Sequence, residues 1–304
     1  MLNDDNASDG VYQSDSQSAS DRAARSSIFS VPSPIKWLFN SVPLITYGAN
    51  ELPLRVPRRN DQNALYIFTT QHGATRGDPS FNPSCLRWQA YLKFCHIEHT
   101  TVVSNNHASP SGALPFLLPS VAKGTDRAVP VPSSKLQRWV AQNTANVVDE
   151  AYDLRYDAYL SLIDHRIRRA WLYTLYLTSN FHTIVVPLYV DPSSTNPLVR
   201  MAIAHELRSA AETELLKHSV VIDAELIYQQ AEEALIALES VLGNSEWFFG
   251  ARAPRLFDAA IFAYTHLLLD EKLGNGWAEV RMSRIVRKHG RLVHHRNAIL
   301  DMYF

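Results

Sequence analysis

Cysteine is almost missing from this chain, which has only Cys85 and Cys95. Ten residues apart in a stretch of helical periodicity, the two stand about 15 Å apart along the axis, too far for a bond between them. No disulfide framework is available, which favours a reducing compartment. An excess of charge is missing too. Lysine and arginine total 29 against 30 acidic residues, so the basic surplus of a nucleic-acid binder is absent and no such partner is expected. Catalytic motifs are equally scarce. Gly73-Ala74-Thr75-Arg76-Gly77-Asp78 lacks the Gly-Lys-Ser/Thr ending of a phosphate loop, and neither HExxH nor CxxC occurs. His289, His294 and His295 cluster without a cysteine or carboxylate at ligand spacing, so they read as surface histidines and no metal is expected.

A long apolar run is also wanting. Ala170 to Val190 carries no formal charge over a length that would span a bilayer. Ser179, Asn180 and His182 sit at its centre, however, and Pro187 follows, where polar groups cost most in hydrocarbon. Its flanks read as two separate buried elements. The first thirty residues lack apolar content and carry Asp4, Asp5, Asp9, Asp15 and Asp21. They are expected to form a disordered tail (1–30) with neither a secretory signal nor a matrix presequence. A connector over 31–63 follows, where Pro32, Pro34, Pro43, Pro53 and Pro57 forbid a long helix. Within it Ile35-Lys36-Trp37-Leu38-Phe39 is a short amphipathic patch, suited to pack on the body or to lie at a membrane surface.

Ordered pattern begins at Ala64–Thr70, a run of β-branched and aromatic residues that predicts a buried strand. Gln71 to Pro83, with two glycines and two prolines, reads as a loop. Helical periodicity starts at Ser84, the expected N-cap, with Trp88, Tyr91, Leu92 and Cys95 on one face. His99–Val103 and Ala113–Leu118 predict two further strands. Strand, helix, strand in so short a span predicts a right-handed βαβ unit with parallel first and second strands. From Ser134 the pattern is helical, over Lys135–Thr144, Asp149–Thr178, Leu198–Lys217, Asp223–Leu242, Leu256–Leu269 and Trp277–Leu300. The pattern is therefore a short α/β N-terminal domain (64–133) followed by an all-α C-terminal domain (134–304), and its α/β half resembles a thioredoxin-like fold.

Three signatures sharpen this. The helix entry reads Asn82-Pro83-Ser84-Cys85. Against a Cys-Pro-x-Cys motif, Cys85 holds the second position while Asn82 stands where the attacking thiol belongs, so no mixed disulfide starts. Pro115 opens the third strand, the place of a cis proline in such folds. Trp247 to Ala260 gives an aromatic-glycine turn followed by a helix with Asp258 near its start; Arg255 stands where a Ser or Thr would complete the capping box.

In this order, the segments Pro83–Cys95 and Ser109–Pro119 resemble the metaxin branch of glutathione-transferase-like proteins, in particular the fungal metaxin-type subunit of the mitochondrial sorting and assembly machinery. The resemblance covers Ala64 to Leu300 and implies a non-catalytic, peripheral subunit on the cytosolic face of the mitochondrial outer membrane. It implies as partners the β-barrel insertase, a second metaxin-like subunit and β-barrel precursor proteins, with no cofactor.

The residues argue the same way against glutathione chemistry. Thr69, Thr70 and Ser84 lie near the place of a thiolate-stabilising hydroxyl, but hydroxyls are common there as turn and cap residues. No Glu-Ser or Asp-Ser pair follows Pro119. The alternatives are a glutathione-dependent transferase or thiol enzyme, and a cytosolic scaffold on the same fold. Arg281, Arg284, Arg287, Lys288, Arg291 and Arg296 make the last helix basic. They form a solvated face or one that meets anionic headgroups or an acidic partner. Trp171, Tyr173, Tyr176 and Phe181 are dense enough for a partner surface, or else for core packing.

Overall fold

The computed structural model describes residues 62–120, 128–144, 155–217 and 219–304. The expected tail, and the connector apart from its last two residues, lie outside the described residues, as does the start of the helix expected from Asp149. All described residues belong to one compact unit, Ala49–Phe304.

Strand β1 (Asn63–Ile67) ends three residues earlier than expected, because Thr70 caps a short helix, α1 (Gln71–Arg76), where a loop was expected. The Thr70 hydroxyl accepts the Gly73 N–H at 3.0 Å, and Gly77 closes the turn at φ 72°, a left-handed conformation that glycine adopts without strain. Helix α2 (Pro83–Phe94) carries Pro83 in its first turn and is capped by Asn82, whose Oδ1 accepts the Cys85 N–H at 3.2 Å. Ser84 thus lies inside the helix and not at its cap. Strand β2 (His99–Val103) pairs parallel to β1, Leu65 opposite Thr101, as the βαβ pattern requires. Strand β3 (Phe116–Leu118) is shorter than the expected third strand and runs antiparallel to β1, Tyr66 opposite Phe116. The Leu114–Pro115 bond before it is cis. Strand β4 (Val131–Pro132) completes a sheet of order β2-β1-β3-β4.

The helical part runs through α3 (Ser133–Asn143), α4 (Arg155–Leu162), a π-helical turn at Ile163–Ile167, and α5 (Arg168–Tyr176). After a break over 177–179 the chain winds as a π-helix over Phe181–Val190 with Pro187 inside it, a residue that has no N–H to give to a helical ladder. Helices α6 (Pro197–Leu216), α7 (Ala224–Leu242) and α8 (Leu256–Leu269) follow. The last expected helix is two, α9 (Arg281–Arg287) and α10 (Gly290–Tyr303). It begins late because the amides of Ala278 and Glu279 bond to the Asn180 side chain at 2.9 and 2.8 Å. It breaks at His289 because Glu239 of α7 takes both the His289 ring and the Arg291 N–H.

α8 is apolar nearly all round and packs on α2, so the sheet half and the helical half share one core. No described helix is long and apolar enough to cross a membrane.

Candidate functional site

In a thioredoxin-like half the chemistry sits where the long helix that crosses from β1 to β2 begins, here α2, because unpaired amides there favour an anion. At that point Cys85 is fully buried. Burial pushes its thiol up to about 12, although Phe68 and Ser80 offer partial hydrogen-bond relief. A protonated, enclosed thiol is a poor nucleophile. Ser80 is itself committed: its hydroxyl donates to the Phe68 carbonyl at 2.6 Å, while its N–H bonds to Gln89 Oε1 at 2.9 Å.

The space in front of this turn is filled by the chain itself. Tyr189, from the π-helix, packs edge-on against Phe68 and Phe81 with ring centroids 5.2 Å away in each case. Its phenol oxygen accepts a hydrogen bond from Asn82 Nδ2 at 3.2 Å and donates toward the Phe81 carbonyl at 3.4 Å. Burial drives the Tyr189 phenol well above its ordinary pKa, and Asn82 only partly offsets this. Asn82, which stands in the place of the attacking thiol, thus caps α2 with one end of its amide and holds Tyr189 with the other. One step further in the β1–β3 register sets Pro115 opposite Ile67 on the adjoining strand.

Asp258 lies in the first turn of α8 and is completely buried. Its carboxylate accepts the Phe248 N–H at 3.0 Å and the Arg255 N–H at 2.9 Å, so only the returning half of the capping box is formed. His295 of α10 approaches the same carboxylate at 2.9 Å, between the rings of Trp247 and Phe248. His289 is buried as well, 2.8 Å from Glu239. The surface reading is corrected for these two histidines, each drawn inside by a carboxylate; His294 is exposed. Among the described residues there is no group of His, Cys, Asp and Glu that could hold a metal ion.

The basic run is largely engaged within the fold. Glu225 and Glu232 stand seven apart on α7 and meet Arg281 and Lys288, while Glu271 meets Arg287 at 2.7 Å. Arg284 and Arg291 are exposed and form no side-chain ion pair at contact distance among the described residues, although the charge of Arg291 still acts on Glu239. Of the two readings of the aromatics, core packing holds for Trp171, while Tyr173 and Tyr176 pack on the core and keep part of their surface open. Trp171 is buried edge-on to Trp277, Tyr173 packs edge-on to Tyr228, and Tyr176 lies against Phe181, its phenol pushed by burial to about 12. Side chains that long in an apolar segment bury most area by turning inward. Tyr189 carried no sequence signal, since its partner Asn82 lies 107 positions away.

Comparison with known proteins agrees with this architecture. The family model described as "Glutathione S-transferase N-terminal domain" matches residues 83–181, and that described as "Glutathione S-transferase, C-terminal domain" matches residues 231–299. The chain is a glutathione-transferase-like protein. Metaxin-3 of Xenopus laevis is 28% identical over 241 residues, covering 76% of this chain and 75% of that protein. Metaxin-1 of Mus musculus is 27% identical, covering 75% of this chain and 72% of the relative. Metaxin-1 of Homo sapiens is 26% identical, covering 66% of this chain and 43% of the relative. Within its class the chain belongs to the metaxin family. Among solved structures, a glutathione transferase family member from Pseudomonas fluorescens with two glutathione bound is 12% identical, with a TM-score of 0.44 covering 79% of this chain and 88% of that one.

Proposed function

We propose that this chain is a non-catalytic subunit of protein import at the mitochondrial outer membrane. In this reading it is bound peripherally on the cytosolic face, where it contacts the β-barrel insertase and a second metaxin-like subunit and assists the engagement of β-barrel precursors. The observation that carries the non-catalytic part is the closed turn at the start of α2, where Tyr189 and Asn82 occupy the position that a thiol or glutathione sulfur would need and Cys85 is sealed behind them. Family membership supports the assignment to import. Within the basic run, the exposed base left over for anionic headgroups or an acidic partner is Arg284.

The test has two arms. Glutathione-affinity retention with turnover of a model electrophile is expected to give neither, and turnover by the wild-type chain would favour the transferase alternative. Purification of a tagged chain from mitochondria is expected to bring down a membrane β-barrel protein. Recovery from cytosol alone would favour a scaffold.

A further inference from the structure

The two edges of the sheet are not alike. β4 is two residues long, contains Pro132, and runs straight into α3, which blunts it as natural edges are usually blunted. β2 has five residues, His99-Thr100-Thr101-Val102-Val103, three of them β-branched in a row before a fourth at its end, with no proline, lysine or bulge. Its outward main chain can be worked out from the register. The Ser104 N–H bonds to the Ile67 carbonyl of β1 at 3.0 Å, and main-chain direction alternates along a strand. Val102 and Thr100 therefore also face β1. His99, Thr101 and Val103 point their N–H and C=O groups away from the sheet, and none of these groups has a hydrogen-bond partner among the described residues.

Nothing described covers that edge. The Thr101 hydroxyl donates to the Ala74 carbonyl of α1 at 2.8 Å. Because side chains stand perpendicular to a sheet, this places α1 over one face and not beyond the edge. Thr100 is exposed, and Val103 keeps 41% of its surface open.

We infer that β2 is a docking edge for an extended segment of another polypeptide, which adds to the sheet as a fifth strand. The chemistry selects the occupant. Donors and acceptors repeating every second residue match only another extended backbone. The strand is flanked by exposed His96, Glu98, Asn105 and Asn106, so the apolar surroundings that a folded partner or second copy would need are lacking. Val103 and the β-branched face favour a segment with apolar β-formers at alternate positions. The inference rests on sheet geometry and holds whichever complex the chain serves.

Hydrogen exchange on the whole chain tests it. The probe is a short peptide of alternating valine and threonine with lysine at both ends, compared with the same peptide carrying a central proline. The first peptide is expected to slow exchange at the Thr101 and Val103 amides by about tenfold or more, and the proline peptide to leave them unchanged. Val103→Lys, at an exposed position, is expected to weaken the protection while circular dichroism stays native. Thr101→Pro should abolish it. Equal protection by both peptides, or protection confined to other elements, overturns the proposal. So does protection that rises with protein concentration in the absence of peptide, which would make β2 a contact between copies.

Discussion

Asp258 on α8 and His295 on α10 meet at 2.9 Å with both side chains shut off from solvent, and the same carboxylate also accepts the Phe248 and Arg255 amides. One carboxylate thus fixes the aromatic-glycine turn, the start of the central helix and the last helix. Removing it strands three buried donors, a situation that costs about 3–5 kcal/mol. Asp258→Ala is expected to lose that much in urea unfolding. His295→Phe should lose less, because the two amides keep the carboxylate satisfied. A double-mutant cycle should give a coupling of about 0.5–3 kcal/mol; zero coupling would mean the contact carries no energy.

Asn180 predicts a second strongly destabilised variant. It is fully buried and satisfied on both ends of its amide, donating to the Thr174 and Glu279 carbonyls and accepting from the Ala278 and Glu279 amides. Asn180→Ala is expected to cost about 2–4 kcal/mol and to raise exchange at the Ala278 and Glu279 amides first. Uniform loss of protection across the chain would contradict a local clamp.

Local features of this fold were legible in the sequence, and non-local ones were not. The parallel β1–β2 pair, Pro115 at the third strand and the helical run after Ser134 follow from periodicity and punctuation within a few residues. α1 was missed because its signal is a single threonine cap and a glycine stop in a loop-like composition. The late start and the break of the last helix were missed because Asn180, which causes the first, and Glu239, which causes the second, lie on other elements, Asn180 98 residues from the Ala278 amide it holds. Tyr189 and the buried histidines are of the same kind, since each is placed by a partner that only the fold brings near.

His266 sets an acid limit on stability. It stacks on Phe262 with ring centroids 5.3 Å apart, and burial, helped by the charge of Arg296, lowers it from 6.5 to about 4. Its folded value is depressed, so below 6.5 the unfolded chain takes up a proton that the native chain refuses. The stabilisation is complete above about 6.5 and lost as the pH falls through about 4. Between unfolding measurements near these two values, His266→Leu should show a smaller drop than wild type. An imidazole signal titrating near 6.5 in the native protein would refute the mechanism.

Cys85 and Cys95 are both buried, and for Cys85 burial raises the thiol from 9.0 to about 12. At neutral pH the native chain therefore offers almost no thiolate at the start of α2. A disulfide reagent is expected to find no reactive thiol in the folded protein and two in denaturant. Any slow labelling should follow the unfolding rate and not the reagent concentration. Because the folded value is the raised one, this group's contribution to stability is complete below about 9. It is lost as the pH climbs from there toward about 12. Cys85→Ala is expected to flatten that alkaline decline. A fast, concentration-dependent reaction of native Cys85 near neutrality would instead reopen the thiol-enzyme reading, since it would require a thiolate that the enclosed turn does not permit.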